Sequence, residues 1–202
     1  MLVFAAIAPH PPLLLPSVSS DSDRQKVKKT LAALGFLAER LKKAKPDIIT
    51  ISSPHPDWGF NVPLYFLAQD FEGKIKTILT DFSSPKKHWE EGKKFFQELD
   101  KSKSYAFIAS GDLSHCLKVD GPYGFNPDGP KFDEALQGCL LKKDIDNFLK
   151  LDEKFPKAGE CGLRSFSFLL GVLEAGEIDW QAEILSYENP FGVGYLVANF
   201  LF

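Results

Sequence analysis

Three of the chain's four histidines follow short apolar runs, each in a turn of small residues and prolines. His10 lies in Ala8-Pro9-His10-Pro11-Pro12, His55 in Ser53-Pro54-His55-Pro56-Asp57, and His115 in Ser110-Gly111-Asp112-Leu113-Ser114-His115. Neutral imidazole is the commonest protein ligand for transition metals, and its ordinary pKa also suits proton transfer near neutral pH. Prolines on either side keep His10 and His55 out of helix interiors and sheet ladders, as ligands held in fixed geometry require. The fourth, His88, sits among lysines in a stretch that reads as a surface helix, and no role is expected of it.

Two imidazoles do not complete a metal site. The missing donor should be a carboxylate or a thiolate, and Asp57, Asp112, Glu160, Cys161 and Glu188 are the candidates. Two histidines with one carboxylate on a single face of an ion mark non-haem Fe(II) oxygen chemistry. Glu160 stands at the first turn of an expected helix among small residues. There its side chain can enter a cleft, or simply complement the helix dipole. His115 reads as a third ligand or a general base, with Asp112 orienting it or capping its turn. Trp58, Tyr123 and Phe125 are candidates to line an aromatic pocket, against ordinary loop and core packing. No Gly-x-Ser-x-Gly elbow surrounds Ser114, and no glycine-rich or Walker-type phosphate loop occurs, which argues against serine-hydrolase and nucleotide-dependent chemistry.

The elements that must deliver these residues follow from apolar periodicity. Residues 2–8, 47–52 and 105–109 are short apolar runs expected as buried strands, with His10, His55 and His115 beyond their ends. A helix is expected over 21–44, capped by Ser19 or Ser20 and stopped by Pro46. A right-handed crossover through it makes the first two strands parallel and places His10 and His55 on one sheet edge. In open α/β sheets that edge is where ligands bind. Further strands are expected at 62–69, 74–80, 181–187 and 193–200. Helices are expected at 86–99, 131–142, 143–150 and 160–174, with a long Gly/Pro-rich loop over 117–130. The chain reads as one α/β domain spanning 1–202.

Composition fits that reading. The 202 residues are 44% apolar and 25% charged, with a net charge of −3, so nothing favours nucleic acid as a partner. The lysine- and arginine-rich runs at 26–29 and 40–43 read as a solvated helix face. Cysteine is sparse and odd in number (Cys116, Cys139 and Cys161). That count fits a reducing cytoplasm rather than a disulfide scaffold. The apolar N-terminus lacks a basic region, so no signal peptide is expected. No apolar run approaches the ~18 residues of a membrane span.

At these motifs the chain resembles the class III extradiol ring-cleavage dioxygenases (the LigB-like superfamily) and the related Memo-like proteins, AmmeMemoRadiSam system protein B. The three histidine segments carry the likeness, with Gly159-Glu160-Cys161-Gly162-Leu163-Arg164 and Tyr187-Glu188-Asn189-Pro190-Phe191-Gly192-Val193-Gly194-Tyr195. The resemblance implies a three-layer α/β/α domain around a mixed, largely parallel sheet. It implies Fe(II) on His10, His55 and Glu160, and His115 as the acid–base residue. A catechol-type aromatic substrate and O2 would then be the reactants. Memo-like members carry a cysteine in the corresponding region. With Cys161 as the ligand, the site becomes softer and suits zinc or copper. The implied function is then a metal-binding or redox partner of a radical-SAM system without ring cleavage. A metal-dependent hydrolase and a non-catalytic interaction domain on the same scaffold are further alternatives. A homo-oligomer, or a partner subunit completing the pocket, also stays open.

Overall fold

The structure is a computed structural model describing residues Met1–Phe202. In chain order it contains β1 (Leu2–Ala8), α1 (Asp21–Lys26), α2 (Lys28–Ala44), β2 (Ile48–Ser53), α3 (Trp58–Leu67), β3 (Lys74–Leu79) and α4 (Pro85–Gln97). There follow β4 (Tyr105–Ser110), α5 (Asp128–Lys142), α6 (Ile145–Phe148), α7 (Leu151–Lys154), α8 (Leu163–Ala175), β5 (Gln181–Glu188) and β6 (Tyr195–Leu201). The six strands form one mixed sheet in the order β3-β2-β4-β1-β6-β5. The first four strands are mutually parallel, and β6 runs against both of its neighbours.

The apolar runs read from the sequence become the central strands because both faces of the sheet are covered. On one face Leu34, Leu37 and Leu41 of α2 and Val62 of α3 pack with Ile49, Ile51 and Ile108. On the other, α4, α5 and α8 surround Phe107, which stacks on Phe168 with ring centroids 5.6 Å apart. Each such buried side chain contributes roughly 1.5–3 kcal/mol. Helices α4 and α8 touch backbone to backbone. A Cβ on Gly92 would lie 2.1 Å from Phe168 O, and one on Gly171 would lie 2.0 Å from Trp89 O.

Several expectations change. The helix expected over 21–44 is two helices meeting at the buried Val27. Thr30 N and Oγ1, in the first turn of α2, both donate to Glu188, a cap from the far end of the chain. Residues 62–69 form no strand; most belong to α3, which carries Pro63 inside it. The apolar alternation there reflects packing against α2, not a sheet. Strands β1 and β2 are parallel but not neighbours, because β4 lies between them. The helix expected from residue 160 starts at Leu163. His88 is not a surface residue: its side chain is 3% exposed, 3.1 Å from Asp81 Oδ1 and 3.0 Å from Glu91 Oε2. No helix is long and apolar enough to cross a membrane.

Candidate metal centre

His10 follows β1, His55 follows β2, and Asp112 and His115 follow β4. These three strands are adjacent in space in the order β2-β4-β1, so parallel pairing brings all three turns to one edge. The turn before α8 closes over them. A Cβ on Gly111 would lie 2.2 Å from Gly162 Cα, so only glycine permits this approach. The two segments are joined there by Gly162 N donating to Asp112 O at 2.9 Å. Ser52 Oγ and Ser165 Oγ, 2.7 Å apart, tie β2 to α8 behind the site.

The contact between the two turns puts Cys161 Sγ 3.4 Å from His10 Nε2, while Asp112 N donates to the same sulfur at 3.3 Å. His10, His55 and Cys161 each offer a ligand atom within 4.8 Å of the other two, and so do Asp112, His115 and Cys161. Glu160 does not join either group. Its Oε1 accepts from Arg164 Nη1 at 2.5 Å and its Oε2 accepts from Leu163 N at 2.7 Å. In this structure Glu160 is bonded to Arg164 and Leu163 N rather than gathered with His10 and His55. An arginine one helical turn on and a free backbone N–H of α8 hold the carboxylate away from the histidines. Asp57 is exposed at the start of α3, and Glu188 caps α2, so neither reaches the histidines.

The His10 imidazole is held in one tautomer. Ser110 Oγ donates its single hydrogen to Gly59 O at 2.5 Å, so it can only accept from His10 Nδ1, 2.9 Å away. With the proton on Nδ1, the Nε2 lone pair faces Cys161. The His10 ring meets the His55 ring edge-on at 5.2 Å, and His55 stacks on half-exposed Trp58 at 5.2 Å. His115 packs against the exposed ring of Tyr123 at 5.1 Å, and its Nε2 is buried without a hydrogen-bond partner. Phe125 is exposed and joins this region through its backbone bridge to Leu117.

Burial governs the charges. It lowers His10 to about 3, aided by the His55 and His115 imidazoles. It lowers His115 to about 4, aided by His55. It raises the Asp112 carboxyl to about 7 against the hydrogen bond from His10 N. It also pushes the Cys161 thiol well above its usual range, with the Asp112 carboxylate adding to the effect. Neutral imidazoles with free lone pairs, beside a thiol held protonated by burial and by Asp112, are a donor set for a transition ion.

Gly59 was not read from the sequence, and Ser110, Gly111 and Gly162, though within the motifs, were given no supporting role there. The one available signal was a serine at the very end of an otherwise apolar strand.

The profile described as the catalytic LigB subunit of aromatic ring-opening dioxygenase matches residues 51–198. Protein CA_C1420 of Clostridium acetobutylicum is 42% identical over 142 residues, covering 69% of this chain. The chain spans only 30% of that curated relative's length. The crystal structure of uncharacterized protein JW3007 from Escherichia coli K12 aligns with a TM-score of 0.63 at 12% identity. That alignment covers 99% of this chain and all of the other, a likeness of fold alone.

Proposed function

Because this chain belongs to the family of catalytic LigB subunits of aromatic ring-opening dioxygenases, we propose that it is a metal-dependent redox protein whose ion is held by His10, His55 and Cys161. The observation that carries this reading is the 3.4 Å separation of Cys161 Sγ from His10 Nε2, with Glu160 engaged by Arg164 instead. A thiolate with two imidazoles suits zinc, copper or iron better than the hard all-oxygen ions. When bound, such an ion supplies Lewis acidity or one-electron chemistry.

The chain's own residues do the rest. Ser110 fixes the His10 tautomer, and the rings of His10 and Trp58 hold His55 between them. Asp112 fastens the His10 backbone N–H at 3.1 Å and offers a carboxylate beside the ion. His115, neutral near pH 7, takes up or returns a proton through an imidazole whose Nε2 has no other partner. The curated relative is more than three times the length of the matched segment. That supports a unit able to work beside further parts of a longer chain. Three free cysteines fit a reducing cytoplasm.

Ring cleavage is the second reading. It is favoured by the family itself and by His115, poised with an unpartnered nitrogen between the donors and the exposed ring of Tyr123. Tyr123, packed on His115, and Trp58, packed on His55, are the aromatic rings beside the histidines that a catechol-type substrate would meet.

Anaerobic purification followed by elemental analysis tests the metal reading. A transition ion should be retained by the wild type and by Glu160→Gln, and lost in Cys161→Ser and His10→Ala. Failure of the wild type to retain any transition ion would overturn it. Oxygen uptake and ring-opened product with any of a panel of catechols would replace the redox-partner reading with the dioxygenase one.

A further inference from the structure

Cys161 belongs to two donor groups. One contains His10 and His55; the other contains Asp112 and His115. Metal–ligand bonds of about 2.0–2.3 Å keep the ligands of one ion within roughly 4.6 Å of each other. The five residues do not form one such group; they form two triads that share the sulfur, with His10 Nε2 of the first also 3.8 Å from Asp112 Oδ2 of the second. A single ion therefore cannot gather all five without rearranging the turn after β4. The second triad also contains a buried donor atom with no partner, His115 Nε2, whereas the first triad's His10 has both nitrogens accounted for.

Building on the reading that the first triad holds an ion, we propose that Asp112, His115 and Cys161 form a second subsite for a borderline or soft divalent cation, with Cys161 bridging the two. One carboxylate oxygen, one imidazole nitrogen and one thiolate match the ligand set of zinc or cobalt. The bridging is possible because a thiolate sulfur has lone pairs for two ions. Filling the second subsite would engage His115, the proton-transfer residue of the first. The second ion would thus act as a brake on chemistry at the centre, not as a reactant.

The test uses the reduced, metal-free full chain titrated anaerobically with Co2+. Bound cobalt is counted by elemental analysis after desalting, and thiolate-to-cobalt absorption is followed during the titration. The wild type should bind two ions per chain, while Asp112→Asn and His115→Ala should each bind one. Cys161→Ser should lose the charge-transfer band. One ion per chain at saturation in the wild type overturns the second subsite and leaves the first reading standing. No bound ion overturns both. Two ions retained in His115→Ala place the second elsewhere and overturn the bridge. His115 makes no hydrogen bond to His10, so that variant decides the matter even if Asp112→Asn fails to fold.

Discussion

Ser110 Oγ accepts a hydrogen bond from His10 Nδ1 at 2.9 Å while giving its own hydrogen to Gly59 O. A hydroxyl at the end of β4 thereby decides which nitrogen of a histidine at the end of β1 is free to bind an ion. Ser110→Ala removes the acceptor without adding bulk. Metal affinity should fall by about 10- to 100-fold, as for other residues that orient a ligating imidazole. Competition titration with a chromophoric chelator measures it. An unchanged affinity would mean that the tautomer is set elsewhere.

Glu160 and Cys161 are neighbours with opposite destinations, and their variants should separate cleanly. Glu160→Gln should keep the bound ion. Arg164→Ala should leave a buried carboxylate unpaired and destabilise the fold by about 3–5 kcal/mol in chemical denaturation. Arg164 also holds Asp152 Oδ2 at 2.8 Å and Ser83 O at 3.2 Å, so its loss reaches beyond one pair.

Binding should release a proton from the thiol. Burial keeps Cys161 protonated well above its usual range, while His10 and His115, at about 3 and about 4, are already neutral. Near pH 8 Asp112, at about 7, is mostly ionised. Calorimetry in buffers of different ionisation enthalpy should then report about one proton released for the first ion, with affinity rising about tenfold per pH unit. The Cys161→Ser protein should release none.

A second pH effect concerns stability. Burial raises the Asp133 carboxyl to about 7, against hydrogen bonds from Tyr187 and Ser114 N. Between the unfolded value near 4 and about 7, the native state keeps a proton that the unfolded chain has lost. The contribution of Asp133 is therefore full below about pH 4 and declines by up to about 1.4 kcal/mol per pH unit as pH rises to 7. Asp112 acts with the same sign. His10 and His115, held neutral by burial, act with the opposite sign below about pH 6.5, so the test is a difference. In urea denaturation of the metal-free proteins, the stability of Asp133→Asn relative to the wild type should rise with pH by up to about 1.4 kcal/mol per unit between about pH 4 and 7.

Gly111→Ala should wedge apart the two turns that form the centre, since its new methyl group meets Gly162 Cα at 2.2 Å. A loss of about 1–3 kcal/mol in stability is expected, with a fall in metal affinity, because Cys161 is carried on the displaced segment. Gly138→Ala, where a methyl group meets nothing within 4 Å, is the control.

The strands and the three histidine turns were legible because buried parallel strands are short continuous apolar runs, and the prolines and glycines that end them are equally plain. The partner order was not. Nothing local in β1 or β2 says that β4 slides between them. Residues 62–69 misled because Val62, Leu64 and Phe66 alternate like a strand although they lie on a helix. The choice between Glu160 and Cys161 could not be read either. Neighbouring side chains in a turn diverge, and which one enters the cleft was decided by Arg164 and by the Gly111–Gly162 contact. His88 looked solvated because its sequence neighbours are lysines; its burial comes from the fold around it, and Asp81 and Glu91 flank it there.

The three ligands of the first triad lie at positions 10, 55 and 161, and the last follows every strand of the parallel half of the sheet. A nascent chain emerging from its N-terminus has only two scattered imidazoles to offer until most of it has been made and β1, β4 and β2 have paired. Closing such long loops is slow relative to forming local turns. On the proposed reading, the ion would therefore be a late arrival that locks a sheet already assembled. On the same reading, a chain truncated before Cys161 would still carry both histidines and yet be unable to keep a metal.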